Sequence, residues 1–239
     1  MQEQNTKDGW VKTIRLSLFF LLLLVASHCV NYGLLGKLED PGGATATQQK
    51  LYAFIASATT TTANFSSYTA GLFSSCSGFT GQGRADCACQ IMAQNANLPM
   101  PQSGKYISWT STSTNDMRCR IQGIFNSTTC ASLPSGGPLW QNTNGVGIAN
   151  GYAGLFSGTL MSPLNLTETA GAPGNTNAYT GTNTDGTLAG ATSTANCTDW
   201  SSGSSATWGS ATASGTQWTN NGATPNCSTV ASVYCFALP

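Results

Sequence analysis

GRADCACQIMAQNANLPMPQSGKYISWTS, residues 83–111, is the stretch that decides the fold. Its first half places Ala85, Cys89, Met92, Ala93 and Ala96 at steps of four, three, one and three, which draws one apolar stripe along a helix. The helix is read over residues 84–97, with Pro99 and Pro101 stopping it. Asp86 then falls in the first turn, where a carboxylate is favoured by the helix dipole. The second half, residues 105–111, reads as a strand. Cys87 and Cys89 are two residues apart, about 200° around a helix axis, so they face different ways and take different partners.

Outward from this segment the chain is rich in short strands and long loops. Residues 51–57, LYAFIAS, put Leu51, Ala53, Ile55 and Ser57 on one face and Tyr52, Phe54 and Ala56 on the other. The run Thr59–Thr62 either extends this strand or forms a loop. Residues 130–180 are dense in Gly, Pro, Asn and Thr and read as loops between short strands. Residues 230–236 alternate Val, Ala, Ser, Val, Tyr, Cys, Phe and read as a closing core strand. No internal repeat is visible. The expected class is α+β, low in helix and dominated by irregular structure.

Nine cysteines punctuate the chain. Before the first of them, cationic Lys7, Lys12 and Arg15 lead into an apolar run, Leu16–Ala26, of about eleven residues, against roughly twenty for a membrane-spanning helix. This order is that of a signal peptide. The run ends VASHC, which has the order of a bacterial lipoprotein signal and makes Cys29 the expected lipidation site and membrane anchor. His28 stands where a small residue is usual, and ordinary cleavage nearby, with Cys29 lost or left free, is the competing reading. The expected organisation is 1–29 signal peptide with lipidated Cys29, 30–48 flexible spacer containing Pro41, Gly42 and Gly43, and 49–239 folded domain. The other eight cysteines, an even set behind an export signal, read as a disulfide framework.

From Val30 onward the chain carries six basic and seven acidic residues, a net charge of −1. A basic field for nucleic acid is therefore absent. His28, inside the leader, is the only histidine, so the exported part has no Ser-His-Asp or Cys-His catalytic set and no histidine-based zinc site. Cys87-x-Cys89 is a poor spacing for zinc, and no metal or cofactor is expected. Asp185 and Asp199 might suggest a carboxylate pair for polysaccharide hydrolysis, but Asp185 sits in NTDGT, an ordinary Asp-Gly turn. Arg118 and Arg120 flank Cys119 and are read as two solvated charges beside a disulfide. Five Asn-x-Ser/Thr triplets begin at Asn64, Asn126, Asn165, Asn196 and Asn226, and the lipoprotein-type leader argues against their glycosylation. Trp208 and Trp218 lie in Ser/Gly/Thr-rich stretches and are the tryptophans singled out for exposure.

Five segments in order carry a resemblance. Residues 83–111 resemble the helix-then-strand segment of endostatin, the C-terminal domain of collagens XV and XVIII. LFSGTLMSPLN (155–165) is similar to its central LFSG-type stretch, and AYTGTNTDGT (178–187) to its Trp-x-Gly turn, with Tyr179 where Trp is usual. NCTDW (196–200) resembles its Cys-x-x-Trp, and CSTVASVYCF (227–236) its closing cysteine pair. With the lipoprotein-type leader, the chain resembles the leptospiral endostatin-like surface proteins. The resemblance implies a C-type-lectin-like fold: a twisted antiparallel sheet, one main helix and long loops, stapled by disulfides. It further implies that Cys89 joins Cys235 and Cys197 joins Cys227, and that Trp200 is core. Cys76, Cys87, Cys119 and Cys130 lie outside the family pattern. Three pairings are open to them, of which proximity favours 76–87 and 119–130. The zinc-binding histidines and heparin-binding arginine clusters of some endostatins are missing, and so are the Glu-Pro-Asn and Trp-Asn-Asp sequences of calcium-dependent lectins, so none of those activities carries over.

The expected function is a surface-exposed outer-membrane lipoprotein, not an enzyme. The resemblance implies binding of host macromolecules: extracellular-matrix proteins, plasminogen or complement regulators. The alternative is a structural or interaction lipoprotein of the cell envelope with no host ligand.

Overall fold

The closing strand organises the molecule. In the computed structural model, which describes residues 49–56, 76, 78–130, 132–201, 205–229 and 231–239, this strand is Ser232–Ala237 and every residue of it is buried. It is strand β7. The leader, Cys29, the 30–48 spacer and the Thr59–Thr62 run lie outside the described residues. The described residues belong to the compact unit Gln48–Pro239.

β7 collects three neighbours. β1, Lys50–Ala56, pairs with it antiparallel, Ala53 opposite Phe236 and Ala56 opposite Val233. β2, Tyr106–Ser108, pairs antiparallel with its C-terminal half, and β5, Asn177–Tyr179, parallel with its start. β3, Leu139–Gln141, runs parallel to β1, β4, Gly147–Asn150, antiparallel to β3, and β6, Trp208–Ser210, antiparallel to β5. The result is a seven-stranded curled, mixed sheet in the order β4-β3-β1-β7-β5-β6, with β2 on the flank of β7. The class is mixed α+β with few helices and four disulfides.

The main helix, α1, spans Gly81–Asn95 and touches β1, β2 and β7. It starts three residues before the expected Arg84, so Asp86 is past the first turn and does not serve the dipole. The expected stripe is buried at Ala85, Cys89, Met92 and Ala93, while Ala96 caps the C-terminus, half-buried. Helix α2, Met117–Arg120, and α3, Gly151–Leu155, are single turns. β1 does not show the two-faced pattern of a half-exposed strand. Ala53, Phe54, Ile55 and Ala56 are all buried, because β1 is a central strand, paired on both edges by β3 and β7, and side chains of the core pack on both of its faces.

Aromatic side chains fill the space between β7 and the loops. The Trp109 ring centroid lies 4.7 Å from that of Trp218 and 5.1 Å from that of Phe236, and Trp218 lies 5.7 Å from Tyr234. Such tilted pairs add to the large apolar area each ring removes from water. Two of the indoles also find partners, Trp109 Nε1 donating to Thr219 Oγ1 at 2.8 Å and Trp140 Nε1 to the Ala237 carbonyl at 3.2 Å, whereas the Trp208 and Trp218 indole N–H groups are buried without one. The expected exposure of Trp218 is overturned. It is fully buried, because its 3₁₀ turn, Thr216–Trp218, folds onto β6, where a Cβ on Gly209 would sit 1.9 Å from the Trp218 carbonyl oxygen. Only glycine allows that approach. Trp208 is half-buried against Tyr179, 6.0 Å between ring centroids.

Four disulfides hold these parts. Cys89 on α1 joins Cys235 on β7, and Cys76 joins Cys87 on the opposite side of the same helix. Cys119 on α2 joins Cys130, and Cys197 joins Cys227. Cys197 begins a feature the sequence does not announce. Cys197, Thr198, Asp199 and Trp200 all have positive φ, between 51° and 64°, a left-handed turn of four non-glycine residues. Each such residue costs roughly 1–2 kcal/mol. The turn is tied by Asp199 N–H donating to Asn196 Oδ1 at 3.0 Å, Trp200 Nε1 donating to the Ser111 carbonyl at 3.0 Å, and the disulfide itself.

Candidate functional site

β2 is short, and its outward edge carries backbone groups that another strand would otherwise take. Side chains close that edge instead. The Tyr106 N–H donates to Gln90 Oε1 at 2.8 Å and the Ser108 N–H to Asp86 Oδ1 at 2.9 Å, both from α1. Arg120, from α2, completes the closure. Its Nη1 donates to the carbonyls of Ser108 at 2.8 Å and Thr110 at 2.9 Å. Its Nη2 lies 2.6 Å from both Asp86 oxygens. The expectation of two solvated arginines fails: Arg118 is half-buried, with its Nε out of contact with water, and the Arg120 side chain is 0% exposed against 26% for Asp86. A buried guanidinium needs both a counter-charge and acceptors, and this corner supplies them to both Nη groups, leaving Nε buried without a partner.

Beside this closed edge an open cleft of about 590 Å³ runs along α1, in the size range of ligand-binding clefts. It is lined by Gly83 and Ile91 of α1, by the buried Tyr106 and Ile107 of β2, and by Phe79 and Phe125. Phe79 is 52% exposed and Phe125 39%. Ile124 and Met100, also exposed, adjoin it: Ile124 precedes Phe125, and Met100 Sδ lies 4.0 Å from Gln90 Nε2. Four of the six exposed large apolar side chains among the described residues thus gather here, the kind of patch that marks an interaction site. The charged rim group is Lys105, with Nζ 5.5 Å from the Phe125 ring centroid.

The acids expected as an alternative site are occupied by local structure. Asp185 Oδ1 accepts from the Thr187 N–H at 3.0 Å, the turn anticipated from NTDGT. Asp199 Oδ1 accepts from the Ser113 N–H and from Asn196 Nδ2, each at 2.7 Å. Burial pushes the Asp116 carboxyl above the ordinary aspartate range, against the lowering effect of the Leu188 N–H that it accepts at 2.9 Å. Burial likewise raises Glu168. Among the described residues no three His, Cys, Asp or Glu side chains converge to hold a metal ion, and no described helix is long and apolar enough to cross a membrane. Asn196 is buried, while Asn126 and Asn226 are exposed.

Phe79, Gln90, Lys105 and Phe125 escape the sequence reading. The available signal is weak: large apolar residues in short polar or glycine-containing surroundings, SGFTG at Phe79 and GIFNS at Ile124 and Phe125. Fold and cleft together define a disulfide-stapled α+β domain with a recessed apolar surface site. No protein-family model matches the chain, and no curated protein matches it.

Proposed function

We propose that the chain is a non-enzymatic, surface-exposed lipoprotein that binds extracellular-matrix or plasma macromolecules through the cleft along α1. Its domain is of the C-type-lectin-like, endostatin-like kind, and Cys29 is its lipid anchor on the outer membrane. The observation that carries the reading is the gathering of exposed apolar side chains at one recess, in a domain whose Asp86, Asp185 and Asp199 are engaged in internal hydrogen bonds. An apolar recess supplies binding energy through desolvated contact, and its rim supplies orientation. The order of leader, spacer and stapled domain supports display away from the membrane. Cells making the full chain are expected to capture soluble fibronectin, laminin, plasminogen or a complement regulator saturably. Cells making Cys29→Ser are expected to capture none, because the domain is no longer held at the outer surface. Wild-type cells that capture none of these at micromolar ligand contradict the reading.

A further inference from the structure

We propose that the α1 cleft binds a free long-chain carboxylate, with the alkyl chain lying between Phe79 and Phe125 and the carboxylate held by Lys105 and Gln90. The proposal rests on the reading of this cleft as a recognition site and goes beyond it by adding a small-molecule occupant to the macromolecular one.

Charge selects an anion. Asp86 lines the cleft, but both its oxygens are taken by Arg120 at 2.6 Å, and Oδ1 also accepts from Ser108. That pair is internally neutral. Lys105 forms no ion pair with a described residue, and its ammonium stands over the Phe125 ring. The cleft therefore carries one uncompensated positive charge over an apolar floor. A second donor stands beside it. Gln90 Oε1 is committed to the Tyr106 N–H, which leaves Nε2 with only the Met100 sulfur at 4.0 Å, a weak acceptor. An ammonium and an amide N–H₂ flanking a recess are suited to a carboxylate head group.

Shape and backbone bonding exclude two other occupants. A peptide adding as a strand needs the outward N–H groups of β2, and Gln90 and Asp86 already hold them. A bilayer surface calls for apolar groups on a projecting face, whereas Phe79 and Phe125 border a recess. A narrow apolar body with one anionic end meets both constraints.

The test is equilibrium dialysis of the purified, oxidised protein against radiolabelled dodecanoate below its micellar concentration. One dodecanoate is expected per chain. Lys105→Gln should weaken binding about tenfold, the loss of one charge-assisted contact. Dodecanol should bind about tenfold more weakly than dodecanoate to the wild type, and equally to Lys105→Gln. Gly83→Leu should abolish binding, because a Cβ at Gly83 points toward the Phe79 ring, 3.8 Å away, and fills the floor. Leucine is also the better helix former, so this variant keeps its fold, which near-UV circular dichroism checks. Unchanged binding by a folded Gly83→Leu, equal binding of dodecyltrimethylammonium, or binding only to phosphatidylglycerol vesicles would overturn the proposal. If dodecanoate fails to bind while Gly83→Leu abolishes capture of a protein ligand, this proposal falls and the reading of the cleft stands.

Discussion

Neutralising Asp86 is the most informative perturbation of the scaffold that shapes the cleft. Asp86→Asn keeps size and shape but removes the charge opposite Arg120. The guanidinium, 0% exposed, then faces only the Ser108 and Thr110 carbonyls and a neutral amide. Stranding a fully buried charge costs about 3–5 kcal/mol. Asp86 is 26% exposed, so water reaches its side of the pair and the lower end applies, about 3 kcal/mol. For a domain of this size that corresponds to a fall in Tm of about 6–12 °C. The assay is thermal and urea unfolding with disulfides intact, followed by tryptophan fluorescence, on Asp86→Asn, Arg120→Met and the double variant. Removing both charges should cost less than the sum of the single variants, by a coupling of about 2 kcal/mol. A loss under about 1 kcal/mol for Asp86→Asn, or strict additivity, would refute the argument that this ion pair holds α1 against the edge of β2.

Two further outcomes follow from the structure. Cys89→Ala/Cys235→Ala opens a crosslink between residues 146 apart, worth about 5 kcal/mol on the chain-entropy model, whereas Cys76→Ala/Cys87→Ala opens one of separation 11, worth about 3. Urea midpoints should rank them in that order, and a larger loss from the second pair would contradict the ranking. Burial raises the phenols of Tyr106, Tyr179 and Tyr234 above their ordinary value near 10. Above pH 10 the unfolded chain releases these protons while the folded one retains them, so stability falls as pH rises. Tyrosinate absorbance of these three should appear together with unfolding, and a smooth early titration of all tyrosines would contradict their burial.

The helix and the closing strand are legible because each rests on neighbouring residues. The stripe through Ala85, Cys89, Met92 and Ala93 and the largely apolar run Val233–Phe236 are local facts about the chain. For Cys76, Cys87, Cys119 and Cys130, proximity in sequence is the available guide, and the structure joins 76 to 87 and 119 to 130. Other features depend on partners distant in sequence. Nothing near Arg120 shows that Asp86, 34 residues earlier, closes on it. The composition around Trp218 reads as a loop, yet Gly209 lets that loop fall into the core. The left-handed turn at Cys197–Trp200 contradicts local propensity and exists only because Asn196, Ser113 and Cys227 hold it. The cleft is the hardest case, since its rims come from Phe79 and Phe125, and only the packing of α1 beside β2 makes them neighbours.

The central claim is that recognition occurs in the cleft along α1. Amide chemical-shift mapping of the isotopically labelled protein, titrated with whichever matrix or plasma ligand it captures, tests this directly. The largest changes are expected at Phe79, Gly83, Gln90, Lys105 and Phe125, and they should vanish in Gly83→Leu. Changes centred elsewhere, with these five amides unmoved at saturation, would contradict it.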